Sequence, residues 1–304
     1  MTGWTDPAWR AEAHAWIREH VTPAGEIEQP HVRPWSTVMR VPADGGDVWF
    51  KANTEALRYE AALVTRLAER RPDCVPPLVA VDLERGWMLM GDAGTTLRSR
   101  IAEERTLERW LDVLPLYAGV QVDMAAEAEE LITLGVPDLR LATLPEQFER
   151  FVDALAGELG EDEPRLRNRL PWIQEACDEL AAFEIPETIQ HDDFHDAQVF
   201  VRGGRYLLMD WGDACVSHPF FTLSVTLEGV ISWGLDDVEG SEDIGPYRDA
   251  YLEPFARFGT RADLARACEL ALRLGWVCRA VNGHVPGELA ATRARLAMFL
   301  DDRQ

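Results

Sequence analysis

Two carboxylates and an amide stand close together between Gln190 and Asp213, in Q-H-D-D-F-H-D-A-Q-V-F-V-R-G-G-R-Y-L-L-M-D-W-G-D. Asp193 follows a strand-like run, Gln198 comes five residues later, and Asp210 ends a further strand-like run directly before Trp211-Gly212. Val199–Arg202 and Arg205–Met209 read as the arms of a hairpin, with Gly203-Gly204 supplying the positive φ angles of its turn. Acids and an amide presented from strand ends suit phosphoryl transfer. One acid accepts the proton of an attacking hydroxyl, and the amide and the other acid hold the metal that bridges the nucleotide phosphates. On this reading Asp193 is the catalytic carboxylate that takes the proton, and Gln198 and Asp210 are the ligands of Mg²⁺.

Lys51 is the only lysine of the chain, and all other basic side chains counted with it are arginine. It lies in the strand-like run V-W-F-K-A, after the turn-rich Ala43-Asp44-Gly45-Gly46-Asp47. An ammonium is a compact point charge and a guanidinium a wide planar fork, so a phosphate clamp at a buried strand can require lysine. Two other readings of this chemistry are weaker. His191-x-x-x-His195 has the spacing of a zinc site on a helix, but Asp192 stands where that motif needs glutamate, and Val199-Phe200-Val201 is strand-like. The His195-Asp196 doublet of helical phosphohydrolases needs a helical bundle, which the strand context contradicts. Bracing of the loop through hydrogen bonds is the expected role of His191.

The 304 residues suggest two lobes, and 47% hydrophobic with 27% charged residues is ordinary for a soluble globular chain. A net charge of −23 argues against nucleic acid as a partner. No apolar run approaches a membrane span and the N-terminus carries no signal pattern, so a cytoplasmic protein is expected, either a monomer or a homodimer. The five cysteines form no C-x-x-C pair, which argues against a disulfide framework or zinc knuckle.

Periodicity predicts a helix over the first twenty residues, with Trp9, Ala13, Trp16 and Ile17 on one face. It predicts strands at T-V-M-R-V and D-V-W-F-K-A, an amphipathic helix from Thr54 to Arg71, and strands at L-V-A-V-D-L and W-M-L-M. Gly91 to Gly94 reads as a hinge. Beyond it, apart from the hairpin, the chain reads as helical: Leu97–Glu104, Leu107–Leu134, Pro145–Leu159, Arg165–Phe183, Phe221–Trp233, and several helices from Tyr247 to Leu300. The fold class is therefore α+β, with a strand-rich N-terminal lobe over residues 1–91 and a larger helical lobe over 92–304.

This order resembles the protein-kinase-like fold, and within it the aminoglycoside phosphotransferase family of small-molecule kinases. His191-Asp192-Asp193-Phe194-His195-Asp196-Ala197-Gln198 is similar to that family's H-G-D-x-x-x-x-N loop, with Asp192 in place of glycine and Gln198 in place of asparagine. The resemblance implies that Lys51 binds nucleotide phosphates and that Glu60, nine residues on, pairs with it. It implies a phosphate-covering turn at Pro34-Trp35-Ser36-Thr37, where Ser36 and Thr37 offer hydroxyl and backbone donors. Backbone groups from Met90 through Asp92 to Ala93 would meet the base of ATP or GTP. Helices after the metal aspartate line the acceptor cleft in that family. Trp233, with Asp236 and Asp237 close behind it, and Asp213 are therefore candidates for holding the acceptor, and aromatic and carboxylate groups suit an amine-bearing one. The implied activity is phosphorylation of a hydroxyl on a small molecule, an aminoglycoside or other antibiotic. The alternatives are a metabolic kinase for a sugar, amino alcohol or nucleoside, and a non-catalytic nucleotide-binding module.

Overall fold

The computed structural model describes residues 3–301. The chain runs through α1 (Pro7–His20), β1 (Glu28–Val32), β2 (Ser36–Val41), β3 (Val48–Asn53), α2 (Tyr59–Arg70), β4 (Leu78–Asp82), β5 (Trp87–Gly91) and β6 (Thr95–Thr96). It continues through α3 (Leu97–Glu104), α4 (Trp110–Met124), α5 (Ala128–Thr133), α6 (Leu144–Ala154), α7 (Asp162–Ala181), β7 (Thr188–Gln190), β8 (Val199–Arg202), β9 (Arg205–Leu208) and β10 (Cys215–Ser217). It ends with α8 (Gly245–Leu252), α9 (Arg261–Asn282) and α10 (Leu289–Leu300). Small antiparallel sheets and many helices make it an α+β protein. Two compact units result. One takes the residues up to Thr96 together with Val199–Gly212, and the other takes Leu97–Gln198 and the residues from Asp213 onward. The expected boundary lay at residues 91/92. The observed first unit runs five residues further and also takes in the β8–β9 hairpin.

In the first unit, five antiparallel strands lie in the order β1-β2-β3-β5-β4, with β3 in the middle. Successive side chains of a strand face opposite sides. Phe50 and Ala52 therefore turn towards a core formed with Trp4, Trp16, Ile17 and Trp87. Phe50 meets Trp87 at a ring distance of 5.4 Å and Trp16 at 5.8 Å, both edge to face. Lys51, between them in sequence, is sent to the other side. The helix expected from Thr54 starts later, because Glu55–Leu57 forms a 3₁₀ turn and α2 opens at Tyr59. Glu60 thus sits in the first turn of α2, where the positive end of the helix dipole favours a carboxylate. The second sheet, β6-β8-β9, contains the anticipated hairpin, and Gly203 and Gly204 have φ of 57° and 77° as the turn requires.

In the second unit, Gln121 is wholly buried on α4 and donates to the carbonyls of Ile189 and Pro219, both at 3.1 Å. It thereby fixes β7, which pairs with β10. Two expected helices differ. Leu107–Leu134 is interrupted by a 3₁₀ turn at Ala125–Glu127. Phe221–Trp233 is not an α-helix: it is a π-helical stretch, Ser224–Glu228, flanked by 3₁₀ turns at Pro219–Phe221 and Ile231–Trp233. Side-chain hydroxyls account for the departure. Thr226 donates to the carbonyl of Phe194 at 2.7 Å and Ser224 to that of Leu272 at 2.7 Å, which ties this stretch to its neighbours.

Candidate active site

The first unit holds a buried ammonium between two carboxylates. Lys51 Nζ lies 2.7 Å from Glu60 Oε1 and 2.6 Å from Asp210 Oδ1, and Lys51 is only 8% exposed. Burial works against its charge, but Asp210 and Glu60 outweigh it and hold the ammonium protonated well above the usual lysine range. Asn53, two residues along β3, donates to the other oxygen of Glu60 at 2.6 Å and fixes the carboxylate. Asp210 follows β9 with φ of 61°, a left-handed conformation that aspartate tolerates better than most residues. The next turn is fastened by the Tyr59 hydroxyl, which donates to the Gly212 carbonyl.

The other nucleotide-side candidates are placed differently from one another. Ser36 and Thr37 were expected in a loop, but they open strand β2, and the turn itself is Arg33–Trp35, closed by the Arg33 N–H on the Ser36 carbonyl at 2.8 Å. The Thr37 hydroxyl donates to the His31 carbonyl at 2.8 Å and accepts from Gln29 at 2.9 Å, so it is committed inside the sheet. Met90 is buried in β5 opposite Trp49. Asp92 accepts from the Gly94 N–H through its side chain, and its backbone carbonyl accepts from the Arg202 guanidinium. Ala93 is buried, and Gly94, at φ 89°, leaves no room for a side chain before the carbonyl of Val201.

The second unit holds the loop after β7. His191 is buried against Phe194, and its backbone N–H donates to the Tyr117 hydroxyl at 2.8 Å. His191 and His195 share no helix face, which removes the geometry of the zinc reading. Phe194 stacks on Tyr117 with ring centroids 4.1 Å apart. The Ala197 N–H donates to His195 Nδ1 at 3.1 Å, so the neutral ring carries its proton on Nε2, which faces Asp193 Oδ2 at 3.6 Å. The Gln198 backbone N–H closes the loop on the His195 carbonyl at 2.9 Å.

Arg279 and Asn282 of α9 complete this cluster, and neither was anticipated from the sequence. The Arg279 guanidinium, itself buried, reaches Asp193 at 2.9 Å, Asp213 at 3.2 Å and Asp192 at 3.3 Å. Asn282 donates to Asp192 at 2.9 Å and to the Asp213 carbonyl at 2.6 Å. Burial tends to raise Asp193, but the neighbouring His195 and Arg279 outweigh it and hold the carboxyl below the usual range. Asp192 goes the other way: burial pushes it up to about 6, against Arg279 and Asn282. The one signal for Arg279 in the sequence was an ionisable residue inside the apolar run W-V-C-R-A-V.

Three of the proposed acceptor residues have partners of their own in the second unit. Asp213 belongs to the Arg279 cluster. Trp233 is half-buried and donates through Nε1 to the Glu228 carbonyl at 3.1 Å. Asp236 is exposed and pairs with Arg105 at 3.3 Å, and Asp237 sits in the same loop with φ of 55°.

Residues 33–270 match the model of the phosphotransferase enzyme family, and the chain belongs to that family. No curated protein matches the chain. Among solved structures the chain is similar to APH(2")-IIia in its GDP and kanamycin complex, with TM-score 0.64 and 14% identity over 96% of this chain and 98% of that one. It is also similar to macrolide 2'-phosphotransferase MphH from Brachybacterium faecium, with TM-score 0.56 and 18% identity over 97% and 99% of the two chains. An ethanolamine kinase of Plasmodium vivax matches with TM-score 0.59 and 11% identity over 93% of this chain and 84% of that one. At these identities the likeness is one of fold.

Proposed function

We propose that this phosphotransferase uses ATP or GTP to phosphorylate a hydroxyl of a small, amine-bearing molecule. The observation that carries the reading is the lone lysine of the chain, buried and held between Glu60 and Asp210. A dedicated, fixed ammonium of this kind is what a nucleotide phosphate requires. Asp193 is the group that orients the acceptor hydroxyl and takes its proton. Its low proton affinity keeps it ionised at neutral pH, Arg279 holds one of its oxygens and His195 faces the other. Asp210 and Gln198 offer a carboxylate and an amide oxygen, a hard donor set that suits Mg²⁺. When bound, the ion offsets the charge of the phosphates. Backbone groups at Met90, Asp92 and Ala93 are proposed to meet the base, with the Asp92 carbonyl already taken by Arg202.

The amine-bearing acceptor is supported by the net charge of −23 and by the acidic run Asp236, Asp237, Glu239, Glu242, Asp243 behind Trp233. Structures of similar fold include a kanamycin complex and an ethanolamine kinase. An antibiotic or an amino alcohol would each satisfy this chemistry. The test is nucleotide turnover with MgATP or MgGTP, with kanamycin, a macrolide, ethanolamine, a neutral sugar or no acceptor. Turnover stimulated by an amine-bearing alcohol, abolished by chelator, and cut on the order of 10²–10⁴-fold by Asp193→Asn is expected. Nucleotide binding without turnover under any condition would instead make the protein a binding module. Stimulation by the neutral sugar alone would reject the amine preference.

A further inference from the structure

Helix α9 approaches the catalytic-loop side of the second unit at a glycine. A Cβ on Gly275 would overlap the Ser224 hydroxyl and stand 2.5 Å from the carbonyl oxygen of Phe221. Residues three, four and seven positions on share the same helical face. They are Cys278, Arg279 and Asn282. Cys278 meets Gln190 at 3.4 Å, and Gln190 donates in turn to Asp192 at 3.1 Å. Arg279 and Asn282 meet the acids of the loop directly. The close approach at Gly275 therefore brings one guanidinium among three carboxylates.

The arrangement is stricter than neutralisation alone needs. One oxygen of Asp193 is held by Arg279 at 2.9 Å, while the other only faces His195 at 3.6 Å, so the guanidinium is the group that fixes the carboxylate. A planar guanidinium can span three acids at once, whereas an ammonium cannot do so with the same geometry. Asp192 stands next in sequence with φ of 64°, in the left-handed region that favours glycine. Its carboxylate adds a second buried negative charge beside Asp193, and Arg279 is the cation that meets both.

We propose that Arg279 is a positioning residue for Asp193, delivered by α9 to hold the carboxylate ionised and aimed while it also compensates Asp192 and Asp213. The proposal rests on the reading of Asp193 as the group that takes the acceptor proton. The charged and titratable groups facing Asp193 are Arg279 of α9, Arg295 of α10, His195 and His191, with Asp192 and Asp213 as the opposing acids. A purely structural Arg279 would serve only to neutralise Asp192. Removing both partners together separates the two cases, because Asp192→Asn with Arg279→Met leaves no unpaired buried charge between them.

The experiment measures MgATP turnover and its pH profile, together with ¹³C titration of the Asp193 carboxyl, assigned through Asp193→Asn. In the double variant KM for MgATP should stay within about twofold. kcat should fall roughly 10- to 100-fold, as expected for a reacting group moved by a fraction of an ångström to an ångström. The acid limb of the kcat profile and the Asp193 titration should both move up by about one pH unit or more. Arg279→Lys keeps the charge without the span, and its kcat should lie between wild type and the double variant; it also serves if the double variant does not fold. Wild-type kcat and an unmoved Asp193 titration in either folded variant would overturn the proposal. If the wild type itself turns over no nucleotide, the kinase reading fails. The carboxyl titration then still decides the positioning role: an upward move supports it and no move rejects it.

Discussion

Asp192 occupies a backbone position that glycine would hold without strain, and a carboxylate has been built there instead. Its pKa is pushed up to about 6, by burial first and by Asp213 and Asp193 in addition. A carboxyl raised in the folded state stabilises the fold fully below its unfolded pKa, and that contribution is lost as pH rises through the folded value. Wild type should therefore lose stability relative to Asp192→Asn, by on the order of 2 kcal/mol, as pH goes from about 4.5 to about 7.5. Urea unfolding across that range checks it, and a constant difference would show that Asp192 does not titrate as the buried cluster implies. At Lys51 the expected effect concerns shape. Arg in the space between Glu60 and Asp210 keeps the charge but not the compact head, so Lys51→Arg should weaken MgATP binding by roughly tenfold or more, about 1.4 kcal/mol, by calorimetry. The Lys51–Glu60 pair was legible in the sequence because motif spacing marks it. Arg279 and Asn282 were not, because they lie more than sixty residues beyond the acids they meet and only the fold brings them there.

Among the elements, helix α9 makes the clearest demand. Gly275→Ala places a methyl against a backbone carbonyl and the Ser224 hydroxyl, which can yield only if the helix or the π-helical stretch shifts. A loss of about 1–3 kcal/mol in unfolding free energy is expected, as for overpacking elsewhere, together with slower MgATP turnover. Unchanged stability would mean that the approach at this glycine is looser than its contacts indicate. The β8–β9 hairpin was readable because Gly203-Gly204 supplies the positive φ angles a tight turn needs, and α3 was readable from its apolar spacing. Strands β6 and β10 were not, since two or three residues are too few to display an alternation. Phe221–Trp233 carries a helical apolar pattern, yet its backbone is pulled aside by the hydroxyls of Ser224 and Thr226, which local spacing does not reveal.

At the scale of the whole molecule, the net charge of −23 sets up self-repulsion in the folded state. Added salt screens charges beyond a distance of about 10 Å at 0.1 M. The urea midpoint should therefore rise as NaCl is increased from low concentration, even though exposed pairs such as Arg150–Glu146 weaken. A falling midpoint would assign the surface ion pairs the larger share. No described helix is long and apolar enough to cross a membrane. The lone lysine of the chain has one more consequence. A protease that cuts only after lysine has a single bond to attack, between Lys51 and Ala52, inside the middle strand of the five-stranded sheet. That strand must open before it can be cut, so the appearance of two fragments on a gel counts openings of the sheet. A nucleotide that binds only the closed form slows the cut by the factor 1 + [L]/Kd. Cleavage rates against nucleotide concentration would then yield a dissociation constant for ATP or GTP without label, acceptor or turnover.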